Sequence, residues 1–436
     1  MKKILSLLLT FVILASMCTV CAEESETVPV PEGLRSSNIL LIDSASDRII
    51  YEKNSQSQIA PGGIAKILTG IIVMDFVASL DENVTADAKA ISTFDFSNNN
   101  MGVLPDETLT VRQLLYGMLI YDAGEAANVL AVYCDESVEK FVERMNKKAG
   151  ELGCANTRFT NPSGTQNENQ YTTLEDAAKI VKYAMEFEQF REIVATKSYT
   201  IEPTNKYKQT RYLNNTNKFI STSATSSYYN KFVTGVKTSY VNNSDCGLVI
   251  SYQNGNTNLL CLTAGAPYSD GINYANEDCT KLIEYGKNYH TSVKIASADE
   301  IFAEVKIRGG KEDNKVLLVA SEDLYINLPK GYDESKIEKE IETSKKIKAP
   351  ISKGDALGQL TVYYDGEKYG SMILIADQSI TSAPVKAFLQ SVGSVFTSWI
   401  FILMVVLIVT LFGAYTVALN KVKRKRKYVS RFKDYR

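Results

Sequence analysis

Histidine is almost absent from this chain: His290 is the only one in 436 residues. That excludes a zinc centre of the usual histidine-rich kind. A Ser-His-Asp triad would have to use His290, which lies in a Tyr/Lys-rich stretch outside any motif and reads as a surface or linker residue. Cysteine is sparse. Of seven, five follow the first 22 residues: Cys134, Cys154, Cys246, Cys261 and Cys279. They are odd in number, scattered, and form no Cys-x-x-Cys, so no disulfide framework is indicated and spacing alone infers no bridge. No metal or other cofactor is expected. A large net charge is missing as well, since the whole chain carries −2. The stretch from Asn420 holds nine basic residues against Asp434, and Lys2 and Lys3 add two more, which leaves about −12 for the residues between. An acidic body of this kind excludes nucleic-acid binding by charge and suits an envelope surface.

Long apolar runs are confined to the two ends. Lys2 and Lys3 precede an apolar run from Ile4 to Met17, and Val20-Cys21-Ala22 offers a small-residue cleavage site. Residues 1–22 therefore read as a signal peptide, with an uncleaved anchor as the alternative. Trp399 to Leu419 is an uncharged run of 21 residues. As a helix it measures about 31 Å, the thickness of a bilayer's hydrocarbon core. The basic tail 420–436 follows it, which predicts a cytoplasmic tail and a body outside the cytoplasm. Residues 380–398 read equally as an interfacial amphipathic helix or a plain linker.

Between the ends the pattern changes once. Asn38–Asp43 and Arg48–Tyr51 are apolar runs around a turn and predict a hairpin. Helical spacing follows from Ile64 to Phe76, with Ile67, Leu68, Ile71, Ile72 and Phe76 on one face. Further helices are expected after Thr110, over Glu125–Tyr133, over Ser137–Leu152 and over Thr173–Phe187. Gly247–Tyr252 and Asn258–Ala264 read as strands joined at Asn254-Gly255. Together these predict an α/β domain over 37–288. From 293 to 378, short alternating runs at Ile301–Ile307, Lys315–Ala320, Leu360–Tyr364 and Ser371–Ile375 predict a small all-β domain.

Several stretches, in order, carry a resemblance. They are Leu40–Asp43 with Tyr51–Asn54 and Ala60-Pro61, then Thr110–Leu119, then Asn161–Gly164 with Tyr171–Thr173, then Ile351–Gly354 with Gly358–Leu360. In these the chain resembles the D-alanyl-D-alanine carboxypeptidases, the low-molecular-mass penicillin-binding serine peptidases. The resemblance implies an antiparallel sheet with a helical subdomain, of the penicillin-binding and β-lactamase-like kind, followed by the β domain. It also implies three motifs. A Ser-x-x-Lys supplies nucleophile and base, a Ser-x-Asn relays protons and holds the substrate amide, and a Lys-Thr-Gly strand binds the substrate carboxylate.

The motifs are degenerate here. The first reads Gly63-Ile64-Ala65-Lys66, so the lysine is kept and the serine position is glycine. The second reads Asp122-Ala123-Gly124, with aspartate for serine and glycine for asparagine. The third, Lys237-Thr238-Ser239, keeps lysine and threonine and ends in serine. Glycine cannot form an acyl-enzyme, and loss of a hydrolase nucleophile costs about 10⁶-fold in rate. No other serine replaces it. Ser55 and Ser57 lie too far ahead of Lys66, Ser137-Val138-Glu139-Lys140 reads as a helix N-cap, Ser430 lies in the tail, and Ser97-Asn98-Asn99 reads as a polar turn. Asp122 is expected to pair with Lys66, Lys237 or both; activation of water by Asp122 is the alternative.

These residues predict a membrane-anchored, catalytically silent relative that binds peptidoglycan stem peptides through Lys237 and Thr238 or scaffolds cell-wall enzymes. The resemblance alone implies the alternative, a working carboxypeptidase. A third possibility is a single-span regulatory protein whose basic tail contacts anionic lipid or a cytoplasmic partner.

Overall fold

The computed structural model of the protein describes residues 29–220, 226–242, 244–255, 257–310, 315–344, 346–382 and 399–431. The leader expected over 1–22, nearly all of the 380–398 segment and the end of the tail lie outside these residues. Two compact units form. One runs to Val293 and includes Ile326–Tyr332, and the other comprises Lys294–Tyr325 and the residues from Asp333 on.

The first unit is built on a five-stranded antiparallel sheet. Its strands are β1 (Asn38–Asp43), β2 (Arg48–Lys53), β3 (Val233–Asn242), β4 (Asp245–Asn254) and β5 (Thr257–Ala266), in the order β2-β1-β5-β4-β3. Strand β1 is buried along its whole length because the sheet is covered on both faces. Alternate side chains of a strand point to opposite faces. Leu40 and Ile42 accordingly enter the larger core, while Ile39 and Leu41 enter the smaller one.

Seven principal helices surround the sheet: α1 (Gly63–Phe76), α2 (Val111–Leu119), α3 (Gly124–Asp135), α4 (Val138–Glu151), α5 (Leu174–Ala184), α6 (Glu188–Ala195) and α7 (Tyr274–Tyr289). The spacing predicted a one-sided helix at 64–76. Instead, α1 is buried on every side from Gly63 to Val73, and Phe76 is 46 % exposed. A helix apolar all round belongs inside a core, and only its end reaches water. Thr110 caps α2 through a full capping box with Gln113. Ser137 caps α4 by accepting from Lys140 N at 3.2 Å. One helix was expected over Thr173–Phe187, but α5 stops at Ala184. Glu186 and Phe187 N–H bond back three residues, to Tyr183 and Ala184, tightening the last turn. A new helix, α6, then begins with Glu188 in its first turn, where a negative charge suits the helix dipole.

The second unit contains a six-stranded sheet ordered Ile337–Thr343, Ala356–Tyr364, Glu367–Ala376, Lys315–Ala320, Ile301–Arg308 and Ile347–Lys348. The last pairing is parallel and the others are antiparallel. Ile337–Thr343 (Ile-Glu-Lys-Glu-Ile-Glu-Thr) was not expected as a strand. It occupies an exposed edge, where charged side chains discourage pairing with another chain. Near the C-terminus a helix spans Trp399–Arg431, and its Ile402–Arg424 portion is long and apolar enough to cross a membrane.

Candidate active-site cleft

The start of α1 is the centre of the site. Gly62 has φ 47°, a left-handed conformation that glycine adopts without strain. The turn it makes presses Gly63 against the edge strand β3. A Cβ placed on Gly63 would lie 2.6 Å from the Thr238 backbone O and 3.0 Å from Lys237 Cγ. Position 63 thus lacks a side chain and also lacks the space for one.

Lys66 stands one turn further along α1, on the face that meets Asp122 and β3. Asp122 sits between α2 and α3 at φ 73°, a region that aspartate enters more readily than most residues. Its Oδ1 lies 2.6 Å from Lys237 Nζ and 3.1 Å from Lys66 Nζ. Its Oδ2 accepts from Asn99 Nδ2 at 3.0 Å. All three charged residues are buried, Lys237 most deeply at 2 % exposed. Burial by itself would push the Asp122 carboxyl up. The charges of Lys237 and Lys66, with the hydrogen bonds from Lys237 and Asn99, outweigh it and hold Asp122 well below the usual carboxylate range. Burial pulls the Lys237 ammonium below its ordinary value, while Asp122 beside it opposes that shift.

The remaining motif positions are filled from elsewhere. A Cβ on Gly124 would overlap the Phe94 ring, so an aromatic side chain occupies the space of a residue there. Thr238 Oγ1 shares a 2.6 Å hydrogen bond with Thr216 Oγ1. Ser239 Oγ accepts from Gly63 N at 3.1 Å and lies where a Cβ on Gly62 would go. This hydroxyl, supplied from β3, satisfies one of the free N–H groups at the start of α1.

The structure therefore gathers Gly63, Lys66, Asp122, Gly124, Lys237, Thr238 and Ser239 around one point. A polar cleft of about 320 Å³ opens there, lined by Gly63, Lys66, Asp122 and Gly124 together with Asn98, Asn99, Thr165 and Tyr240. A larger cavity of about 730 Å³, between α5, α6 and the sheet, touches none of these residues. Phe94 went unrecognised in the sequence, and Asn99, which meets Asp122, read only as part of the polar turn Ser97-Asn98-Asn99. They sit in a polar loop, and nothing local shows that the loop folds onto Asp122. Ser239 read as a mild departure, and its hydroxyl proves to be bonded to the main chain of the first motif. His290, read as a surface or linker residue, directly follows α7 and is half-buried, with Nδ1 2.9 Å from Asn327 Oδ1. Among the described residues, no cluster of three or more His, Cys, Asp or Glu could hold a metal ion. Chemically, the cleft offers an ionised carboxylate held by two lysines, and at position 63 it offers no nucleophile.

Residues 24–267, more than half of the chain, match the family of D-alanyl-D-alanine carboxypeptidases. The chain belongs to that family. Residues 290–382 match the C-terminal domain of penicillin-binding protein 5. A D-alanyl-D-alanine carboxypeptidase, DacF of Bacillus subtilis (strain 168), is 28 % identical over 396 residues, which is 89 % of this chain and 97 % of that one. DacA of Haemophilus influenzae is 26 % identical over 374 residues, 84 % of this chain and 90 % of that one. The fold of penicillin-binding protein 5 from Haemophilus influenzae covers 81 % of this carboxypeptidase-family chain and 100 % of its own, with a TM-score of 0.68 at 24 % identity.

Proposed function

We propose that this carboxypeptidase-family protein is catalytically silent and acts from a membrane anchor as a scaffold for cell-wall enzymes. The observation that carries this reading is the 2.6 Å approach of the Thr238 carbonyl to the Cβ position of Gly63. Covalent catalysis by this family's route needs a hydroxyl there with a base in hydrogen-bond reach. The site has no hydroxyl at that position, and Lys66 is engaged with Asp122. Lys237, which the resemblance assigns to the substrate carboxylate, is buried with the same aspartate as its partner. A ligand carboxylate would have to displace Asp122 to reach it. The basic residues that follow the apolar portion of the C-terminal helix support a cytoplasmic tail and an extracytoplasmic body.

A second reading, weak binding of peptidoglycan stem peptides, draws support from the polar cleft that remains over α1. Full-length protein in detergent, treated with fluorescent penicillin and with a stem-pentapeptide analogue, is expected to show no covalent label and no D-alanine release. Label that disappears on mutating one serine would refute the silent reading. Calorimetry with the same peptide separates the two non-catalytic readings, since heat of binding without turnover favours the ligand role.

A further inference from the structure

We propose that Cys261 and Cys279 form a disulfide that joins β5 to α7. Cys261 lies in the middle of β5, flanked in the sheet by Leu41 on β1 and Ile250 on β4. Cys279 lies on the buried face of α7, in the same core as Cys261. Both are fully buried, and their sulfurs stand 3.5 Å apart. A disulfide requires about 2 Å between sulfurs, with χ rotations and small backbone shifts supplying the rest. The other cysteine sulfurs with hydrogen-bond contacts face carbonyls: Cys154 meets Asp176 O at 3.5 Å and Cys246 meets Asn242 O at 3.7 Å. Only the 261–279 pair puts thiol against thiol among the contacts of the described residues.

The oxidant is a small or protein disulfide. One cysteine thiolate attacks its S–S bond and releases the first thiolate, leaving a mixed disulfide. The second cysteine thiolate then attacks the mixed disulfide at the cysteine sulfur and releases the second thiolate. The two cysteine protons end on the two thiols produced, so the pair loses two electrons and the oxidant gains them. Exchange takes place before α7 closes on the sheet. In the folded chain the neighbouring Cys279 thiol and burial push the Cys261 thiol well above its ordinary value, and a buried, protonated thiol is inert. The bond would close a loop of 18 residues and restrict the unfolded chain accordingly. The oxidising surroundings are those of the extracytoplasmic placement proposed above.

The test separates the bond from that placement. Full-length protein is denatured and refolded with oxidised glutathione, then alkylated under denaturing conditions with and without prior reduction. One tryptic fragment, Thr238–Lys281, carries Cys246, Cys261 and Cys279 together, so chymotrypsin, which cuts after Tyr252 and after Tyr274, is needed to part them. A peptide pair linked through Cys261 and Cys279 is expected. Reductant should lower the thermal midpoint of the wild type by roughly 5–10 °C and leave C261A/C279A unmoved. Alkylation of both cysteines without reduction, a link through Cys246 instead, or a midpoint indifferent to reductant overturns the proposal. Acid-trapping of thiols in intact cells then reads the compartment: the link present after refolding and absent in cells overturns the extracytoplasmic placement alone.

Discussion

At the scale of single residues, Asp122 holds the cleft together. Asp122→Ala leaves two buried lysines without their counter-charge, and breaking a buried pair in this way costs about 3–5 kcal/mol. Chemical denaturation should show that loss with the urea slope unchanged. The pH dependence has a definite sign. The folded-state carboxyl of Asp122 is depressed, so its contribution is complete above its unfolded value near 4 and is lost as the pH falls toward the folded value. Thermal midpoints of the wild type should therefore fall more steeply below about pH 4 than those of Asp122→Asn. Glu125 behaves in the opposite way. Its buried carboxyl is pushed up by burial and accepts from Met101 N at 2.7 Å and Val103 N at 3.3 Å. Its ionisation on folding is disfavoured, so the stability it supplies is full below its unfolded value and shrinks as the pH rises through the folded one. Glu125→Gln keeps the acceptor oxygen and removes the charge, so it should hold or raise the midpoint at pH 7 and flatten its slope above pH 5. Gly63→Ser puts a side chain against the Thr238 carbonyl. It should cost about 1–3 kcal/mol and still give no covalent penicillin label.

At the scale of elements, the loop that brings Asn99 to Asp122 is held from behind. Arg211 donates from Nη1 and Nη2 to Glu107 at 2.7 and 2.9 Å, and reaches the Met101 and Gly102 carbonyls at 3.0 and 2.8 Å. Arg211→Ala strands a buried Glu107, with an expected loss of about 3–5 kcal/mol. It should also broaden the Asn99 amide signals in NMR spectra while those of α4 stay sharp. The capping box is worth less: Thr110→Ala should cost about 1 kcal/mol. These elements differ in how far the sequence disclosed them. Thr110 and Ser137 announce their helices because a cap is a local device, written within four residues. The convergence of Lys66, Asp122 and Lys237 was legible only because three separated segments resemble motifs that meet in a known fold. Arg211 and Phe94 had no such guide, since each acts on a segment 30 to 110 residues away. The all-round burial of α1 and the charged edge strand Ile337–Thr343 escaped for a related reason. Both depend on what lies beside the element and not on its own spacing.

At the scale of the whole molecule, the two folded units and the C-terminal apolar helix are separable in sequence. Thirty-three residues from Trp399 to Arg431 form one helix whose apolar portion ends among lysines and arginines. A chain ending at Ser382 is expected in the soluble fraction with the thermal midpoint of its folded units retained, while the full chain sediments with membranes. Replacing Lys421, Lys423 and Arg424 by glutamine should weaken the orientation preference without releasing the chain from the membrane. Family membership fixes neither result, because it rests on residues 24–267 and 290–382, ahead of that helix.

The close fit between α1 and β3 bears on whether this site has a road back. A serine at 63 meets the Thr238 carbonyl, an asparagine at 124 meets the Phe94 ring, and a serine at 122 abandons two lysines in the interior. Each single reversion is uphill, and neighbours that share contacts do not simply add. Such an arrangement works as a ratchet. On the silent reading proposed above, a lineage carrying it would regain the family's chemistry only through several coordinated changes, while drift toward other uses of the same body stays open at every step.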